Sequence, residues 1–228
     1  MSDIFREVEE DVRRERLEKI WKAYGDYIIA AAVLLFAGIA GFELWQRHEA
    51  DERAKASAAL VAAERITNPT QAADAFNSLS KSSPKGYALV ARLAEANAML
   101  ASGQGKNAID LYKQIAKDDS GTIGSVARLR AAWGLADSAT RGELTELLAP
   151  LSQPGSDWSP MAREVLAYAD YRALDLKDAR MKYQLLAADP KAPDALRSRA
   201  RAMALFIANG GAADFGTVPP PPAATPAK

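Results

Sequence analysis

The chain opens with a periodic apolar pattern that gives way to a continuous one. In residues 1–26, apolar side chains recur every three or four positions among acids and bases, which predicts an amphipathic helix. From Tyr27 to Phe42, 16 consecutive residues carry no charge. A helix over residues 27–45 would be roughly 28 Å long at 1.5 Å per residue. Because the hydrocarbon layer of a bilayer is about 30 Å thick, the pattern predicts a transmembrane anchor at 27–45.

Two other interpretations of this apolar run stay open. The small residues at Gly38 and Ala40 suit a cleavable signal sequence, but the segment that precedes the run is long and acidic for one. A buried core helix would need a matching apolar surface nearby, and the neighbouring sequence offers none. Tyr24, Tyr27 and Trp45 lie at the two ends, where membrane interfaces favour aromatic residues. The sequence therefore favours a retained anchor.

The cations that flank the run predict its orientation. Five Lys or Arg residues lie within residues 12–26, and three lie within 46–60. Since cytoplasmic flanks carry the excess of cations, we expect the amphipathic helix to be cytoplasmic and the C-terminal part to be exported. The helix over 1–26 is either a solvated lead into the membrane or a docking face for a partner.

A third pattern, Ala-x3-aromatic-x2-aliphatic, begins after residue 49. Its copies lie 35 or 36 residues apart, and each is preceded by a small or aliphatic position in the helix before it. The copies are Ala72/Phe76/Leu79, Ala108/Tyr112/Ile115, a weaker Leu144/Leu148/Leu151 and Ala179/Tyr183/Leu186, and the preceding positions are Leu60, Ala96, Ala132 and Ala167. This pattern resembles tetratricopeptide repeats, which stack pairs of antiparallel helices. It predicts an all-α helical-hairpin solenoid over residues 49–209, capped by a helix over Pro193–Ala208.

The first helix of each pair lines the concave face of such a solenoid. At the corresponding positions the chain carries mostly apolar and aromatic side chains, which form a candidate protein-binding groove: Leu93, Asn97, Leu129, Trp133 and Tyr168. Exposed apolar grooves with a polar rim mark binding sites for other chains. In the alternative interpretation, the capping helix or a second copy of the protein covers this face.

Composition argues for binding rather than chemistry. Lys+Arg and Asp+Glu both number 29, so no basic footprint for nucleic acid is present. The chain has no Cys and a single His, His48, which excludes a cysteine metal site and offers no second histidine ligand. No phosphate loop or nucleophile motif occurs. We therefore expect a protein that is not an enzyme and has no cofactor and no small-molecule substrate. The Pro- and Ala-rich segment 210–228 has the composition of a disordered, soluble terminus.

The order of these parts resembles the YfgM-like family of bacterial inner-membrane proteins, which are ancillary subunits of the SecYEG translocon. The opening residues 1–28 and the repeats carry the resemblance. It implies a single-pass protein of the bacterial inner membrane whose repeat domain is periplasmic and meets the translocon and periplasmic chaperones. A repeat scaffold for another envelope assembly, such as outer-membrane protein insertion or cell-wall machinery, is the alternative.

Overall fold

A computed structural model describes residues 3–153 and 155–210. Within these ranges the side chains of residues 3–18, 20, 23, 28 and 32 are not described. The amphipathic face predicted for residues 1–26 therefore lies mostly outside the described side chains. The tail predicted over 210–228 lies outside the described residues beyond Gly210. The chain divides into two compact units, Met1–Ala56 and Ser57–Lys228.

The longest element is α1, Asp3–Glu64. Within it, the stretch Tyr24–Glu64 is long and apolar enough to cross a membrane. Over residues 27–45 the described apolar side chains are uncovered, with Leu34 73% exposed and Phe36 69% exposed. The predicted limits of the anchor, residues 27 and 45, are changes of hydrophobicity, and a single helix runs through both. The physical reason is the absence of a strong breaker, because the first proline of the chain is Pro69 and isolated glycines cost only about 1 kcal/mol each.

Eight further helices follow in the described part of the second unit. They are α2 Pro69–Ser82, α3 Lys85–Ala101, α4 Gly105–Asp118, α5 Thr122–Leu135, α6 Arg141–Leu148, α7 Ser159–Arg172, α8 Leu176–Ala188 and α9 Asp194–Ala208. No strand occurs in the described part of the chain, so the predicted all-α fold is confirmed. Pro193 stands immediately before α9 rather than inside its first turn.

The repeat positions form the core. The three repeat positions of each copy are buried, apart from a partly buried Leu79, and all of them except Leu151 lie in α2, α4, α6 or α8. Four apolar clusters follow one another along the chain, and each joins helices of adjacent repeats. The weak third copy has the shortest helix, α6, which ends just before Pro150 because proline cannot continue it. Leu151 lies beyond that end and is still buried.

Two of the turns inside repeats share one backbone geometry. After α3, Ser102 caps the helix and Gly103 adopts φ 82°; after α7, Ala173 caps the helix and Leu174 adopts φ 61°. In both cases the next helix starts two residues later. A residue in the left-handed backbone conformation after a helix C-terminus lets backbone N–H groups donate hydrogen bonds to the last carbonyls of the helix. The same conformation reverses the direction of the chain. The second helix of the repeat can therefore fold back on the first.

Arginines at equivalent positions of the repeats lie on the first helix of each pair. Each contacts the C-terminal end of a second helix and so holds the two helices together. Arg92 pairs with Asp118 at 2.9 Å, and Arg163 pairs with Asp189, in both cases 26 residues further on. The hydrogen bond from Arg163 lowers the pKa of Asp189. Arg128 donates instead to the carbonyl oxygens of Ala116 at 2.7 Å and Leu147 at 3.1 Å. Each arginine thus meets the negative end of a helix or an acid placed there.

A buried carboxylate joins three helices of the last two repeats. The side chain of Asp170 in α7 is fully buried and pairs with Lys182 of α8. Its other oxygen lies 2.8 Å from Nε of Arg141 in α6, an ion pair without the alignment of a hydrogen bond. Breaking a buried pair by removing one partner is costly because the other charge remains poorly solvated.

We expect Asp170→Asn to lower the free energy of unfolding by about 3 kcal/mol, because Lys182 would lose its counter-charge in a site with little solvent. The matched control is Asp118→Asn, whose side chain is 53% exposed and whose ion pair contributes at most about 1 kcal/mol. Urea unfolding of the repeat domain, followed by circular dichroism, measures both changes. Equal small losses would show that the buried pair does not hold these helices together.

Candidate protein-binding groove

Four aromatic side chains form a row across α5, α7 and α9. The row starts at Trp133 of α5, whose ring centroid lies 5.8 Å from that of Tyr168 in α7. It continues through Tyr171, 6.3 Å from Tyr168, to Phe206 of α9, 6.5 Å from Tyr171. Residues three apart on one helix share a face, which lets Tyr168 and Tyr171 bridge the neighbouring helices. We call these four residues the aromatic row.

Two adjoining cavities open beside the aromatic row. The larger, of about 570 Å³, is lined by residues of α3, α4, α5 and α7 together with Trp158 and Arg199. The smaller, of about 520 Å³, is lined by Tyr168, Tyr171, Tyr183 and Met203 among others. Trp133, Glu164 and Arg199 line both. We refer to the two cavities together as the concave groove.

A charge pair lies where the two cavities meet. Glu164 of α7 is buried, and its two carboxylate oxygens accept hydrogen bonds from Nε and a terminal nitrogen of Arg199, both at 3.0 Å. This hydrogen-bonded pairing raises the pKa of the Arg199 guanidinium. Two parallel hydrogen bonds are the strongest form of such a pair. The pair compensates the buried acid, so the floor of the groove is polar but locally neutral.

A hydrogen bond fixes one ring of the aromatic row. The hydroxyl of Tyr168 donates to Oδ1 of Asp137 at 2.6 Å. This hydrogen bond raises the pKa of the Tyr168 hydroxyl, with burial as the second cause. Because one end of the ring is held at the rim, its face stays directed along the row. A pre-positioned aromatic surface loses little entropy on binding.

Of the five predicted groove residues, the structure brings three together. Trp133 is 42% exposed and lines both cavities, and Tyr168 lines the smaller one. Leu129 lines the larger cavity, but it is buried rather than exposed, because it packs with Leu144 and Leu148 in the core. Leu129 is therefore part of the wall and not a contact surface.

Leu93 and Asn97 line neither cavity. Leu93 packs against the core cluster around Tyr112. The amide oxygen of Asn97 accepts a hydrogen bond from the hydroxyl of Tyr112 at 2.6 Å, so its role here is to satisfy a buried tyrosine. Both lie on α3, whereas the two cavities open nearer the C-terminal repeats.

The sequence interpretation missed the contribution of α9. Arg199 and Met203 line the groove, although α9 was expected only to cap the solenoid or to cover the concave face. It forms one wall and leaves Trp133 exposed. One signal was visible in the sequence: Glu164 stands where the preceding repeats carry Leu93 and Leu129, and an acid at an apolar position indicates a partner elsewhere.

Nothing in the described part of the chain resembles a catalytic centre. Among those residues, no group of three or more His, Cys, Asp or Glu side chains could hold a metal ion. The pKa of Tyr183 is strongly raised, and the main cause is burial of its hydroxyl in the core rather than a catalytic partner. The groove offers aromatic faces, a neutral charge pair and an exposed cation, Arg130, which suit contact with another chain.

Comparison with known proteins agrees with this architecture. The tetratricopeptide repeat-like domain family matches residues 18–184. An ancillary SecYEG translocon subunit of Aggregatibacter actinomycetemcomitans is 30% identical over 129 residues, which cover 55% of this chain and 63% of the relative. The match thus spans less than two thirds of that protein. No solved structure matches the chain significantly.

The family match covers most of the chain, and the structure contains helical repeats of the kind that give the family its name. The similarity to the ancillary translocon subunit supports the predicted YfgM-like assignment. The chain belongs to the tetratricopeptide repeat-like domain family.

Proposed function

We propose that this protein is a non-enzymatic adaptor, tethered to the bacterial inner membrane by one span, whose concave groove holds protein partners at the periplasmic face. The partners are the SecYEG translocon and periplasmic chaperones. The similarity to an ancillary SecYEG translocon subunit supports this choice. The apolar stretch within Tyr24–Glu64 supports the tether.

The observation that carries the proposal is the aromatic row beside the concave groove. Trp and Tyr are over-represented among interface residues whose truncation costs about 2 kcal/mol or more. Here they line two joined cavities, and the one buried acid there is already paired. A groove of this kind accepts apolar or aromatic side chains of a peptide segment without leaving a charge unpaired.

Mild crosslinking in intact membranes, followed by identification of the crosslinked proteins, tests the proposal. We expect translocon subunits among the products, with periplasmic chaperones beside them. If those are absent and a defined complex of outer-membrane protein insertion or cell-wall synthesis appears instead, the protein is a scaffold for that assembly.

The proposed topology makes a separate prediction. We expect the mature protein to retain residues 27–45, with Ser2 cytoplasmic and Asn209 periplasmic, because the cation excess precedes the apolar run. Protease added to the periplasmic side should digest the repeats and spare the N-terminal helix. A mature protein that begins at Gly41 would instead mean a cleaved signal sequence.

A further inference from the structure

The larger cavity of the concave groove contains a cation that no acid neutralises. Glu164 and Arg199 line the cavity and neutralise each other through two hydrogen bonds. Arg130 of α5 lines it as well and is exposed. Among the side chains that the structure describes, no acid forms an ion pair with Arg130. The larger cavity therefore carries one uncompensated positive charge.

Arg130 lies at the end of the groove that α4 forms. Burial raises the pKa of the Tyr112 hydroxyl, and the nearby guanidinium of Arg130 opposes that rise through its positive charge. A neutral hydroxyl leaves this charge uncompensated. Tyr112 and Arg130 line only the larger cavity, whereas Tyr168 and Tyr171 line only the smaller one. The cation thus lies at the opposite end of the groove from the two tyrosines.

Helix α5 presents Arg130 and an exposed indole on one face. Arg130 and Trp133 both line the larger cavity, and residues three apart on a helix have Cβ atoms about 5–6 Å apart. The next residue, Gly134, lets this face lie close against α4, because a Cβ there would stand 2.8 Å from Cγ1 of Ile109. The spacing between the cation and the indole is therefore set by a tightly packed helix.

The smaller cavity offers no comparable charge. Its lining is aromatic and apolar apart from the neutral pair of Glu164 with Arg199. At its rim, Asp137 accepts the hydrogen bond of Tyr168, and the positive charge of Arg172 lies near the same hydroxyl. These two opposite charges offset each other. A large apolar side chain suits this cavity, whereas an acid finds its counter-charge only at Arg130.

We propose that the concave groove binds extended segments of partner proteins in which an acidic residue is followed, two positions later, by an aromatic one. The acid pairs with Arg130, and the aromatic ring packs on Trp133 and enters the smaller cavity. In an extended chain, residues two apart lie on the same side and about 7 Å apart, which is close to the step from Arg130 to Trp133. The inference rests on the proposed function, because it takes the groove to bind protein segments.

The two contacts have different consequences. Burial of the aromatic ring supplies most of the affinity, since an ion pair that water reaches contributes little. Arg130 instead selects among apolar segments, because a basic residue in place of the acid would lie against a like charge. Pockets that accept alternate side chains of an extended peptide give specificity in the same way.

Four synthetic peptides test the proposal on the full-length protein in lipid nanodiscs, with empty nanodiscs as the blank. Each has a neutral dye at its N-terminus and an amide at its C-terminus, and fluorescence anisotropy gives its Kd. The reference peptide is Ser-Gly-Glu-Thr-Phe-Gly-Ser. The lysine peptide replaces Glu by Lys, the alanine peptide replaces Phe by Ala, and the adjacent peptide exchanges Thr with Phe.

We expect the reference peptide to bind at least about fivefold more tightly than the lysine peptide, the size that one partly solvated ion pair supplies. It should bind at least about tenfold more tightly than the alanine peptide, which lacks the ring. The adjacent peptide should also bind more weakly than the reference, since neighbouring side chains of an extended chain point to opposite sides.

Arg130→Glu should reverse the charge preference, so that the lysine peptide binds more tightly than the reference, and Arg130→Gln should make the two equal. The matched control is Arg201→Glu, an identical charge change at an exposed residue of α9 outside both cavities. It should keep the order seen with the natural protein. A misfolded variant would lose all peptides rather than reverse their order, and the comparison on the natural protein needs no variant.

Equal binding of the reference and lysine peptides to the natural protein overturns the proposal. A preference that survives Arg130→Glu, an adjacent peptide that binds as tightly as the reference, or the absence of any peptide binding overturns it too. A dimer that binds no peptide and that Trp133→Ala converts to a monomer would show that a second copy fills the groove, which also overturns it.

Failure of the proposed function gives a different result. In that case the peptides keep their expected order, but crosslinking in intact membranes yields no translocon subunit and no chaperone. Conversely, equal binding of the reference and lysine peptides that Trp133→Ala abolishes leaves the groove as a binding surface and removes only its preference for an acid.

Discussion

Tyr183→Ala is expected to lower the free energy of unfolding of the repeat domain by about 3–5 kcal/mol. Tyr183 occupies the aromatic position of the fourth repeat, is 3% exposed and packs with Ala179, Leu186 and Ala200 of α8 and α9. Removing its ring loses apolar burial and leaves a cavity between the helices. Phe76→Ala, at the equivalent position of the first repeat, should cost a similar amount.

The matched control for Tyr183→Ala is Leu185→Ala on the same helix. Leu185 is 61% exposed, so its truncation should change stability by no more than about 0.5 kcal/mol. The measurement is urea unfolding of a fragment over residues 49–209, which should be soluble and almost entirely helical by circular dichroism. A strong sheet signal, or equal small losses in the two variants, would contradict the repeat assignment.

Trp133→Ala is expected to weaken partner capture by about 30-fold or more. A truncation cost of about 2 kcal/mol or more is typical of aromatic residues at the centre of an interface, and each 1.4 kcal/mol is about tenfold. Trp133 lines both cavities of the concave groove and is 42% exposed. Because it is partly solvated already, its loss should change the melting temperature much less than Tyr183→Ala does.

Partner binding and thermal melts of the same Trp133→Ala protein separate two roles. Loss of partner binding with a nearly unchanged melting temperature supports the concave groove as the binding surface. Leu185→Ala should leave both measurements unchanged. If the melt or self-association changes first while partner capture persists, Trp133 contributes to the fold or to a dimer. A variant that melts normally and keeps every partner would exclude the concave groove as the binding surface.

The repeat fold could be predicted from sequence because its signal is local and recurrent. Ala108, Tyr112 and Ile115 lie on one face of one helix, and the same spacing returns in α2 and α8. Burial of these positions follows directly from that periodicity. The third copy was harder to find, since Leu144 and Leu148 replace the small and aromatic residues and Pro150 shortens the helix.

The groove could be predicted only in part, because a helix position does not determine which stretch of the concave face opens. Trp133 and Tyr168 were found from their place after the small residues of α5 and α7. Leu129 was placed on the same face, yet packing against α6 buries it. The contribution of Arg199 depends on how α9 packs against the preceding repeat, and a residue 35 positions from Glu164 carries no local signal of that pairing.

The junction of Asp170 with Lys182 and Arg141 was not predicted for the same reason. Its three members come from three helices, and no spacing in the sequence indicates that they meet. The continuity of α1 was missed for a different reason. Changes of hydrophobicity at residues 26 and 45 mark a change of environment, but they do not break the backbone hydrogen bonds of a helix.

The central claim, that the concave groove holds a protein partner at the membrane, is tested most directly by a photoreactive phenylalanine analogue at Tyr168. Leu185, exposed on α8 and outside both cavities, is the control position. On illumination of intact membranes, we expect position 168 to crosslink to translocon subunits or periplasmic chaperones and position 185 to give little product. Equal products from both positions, or none from position 168, would contradict the account.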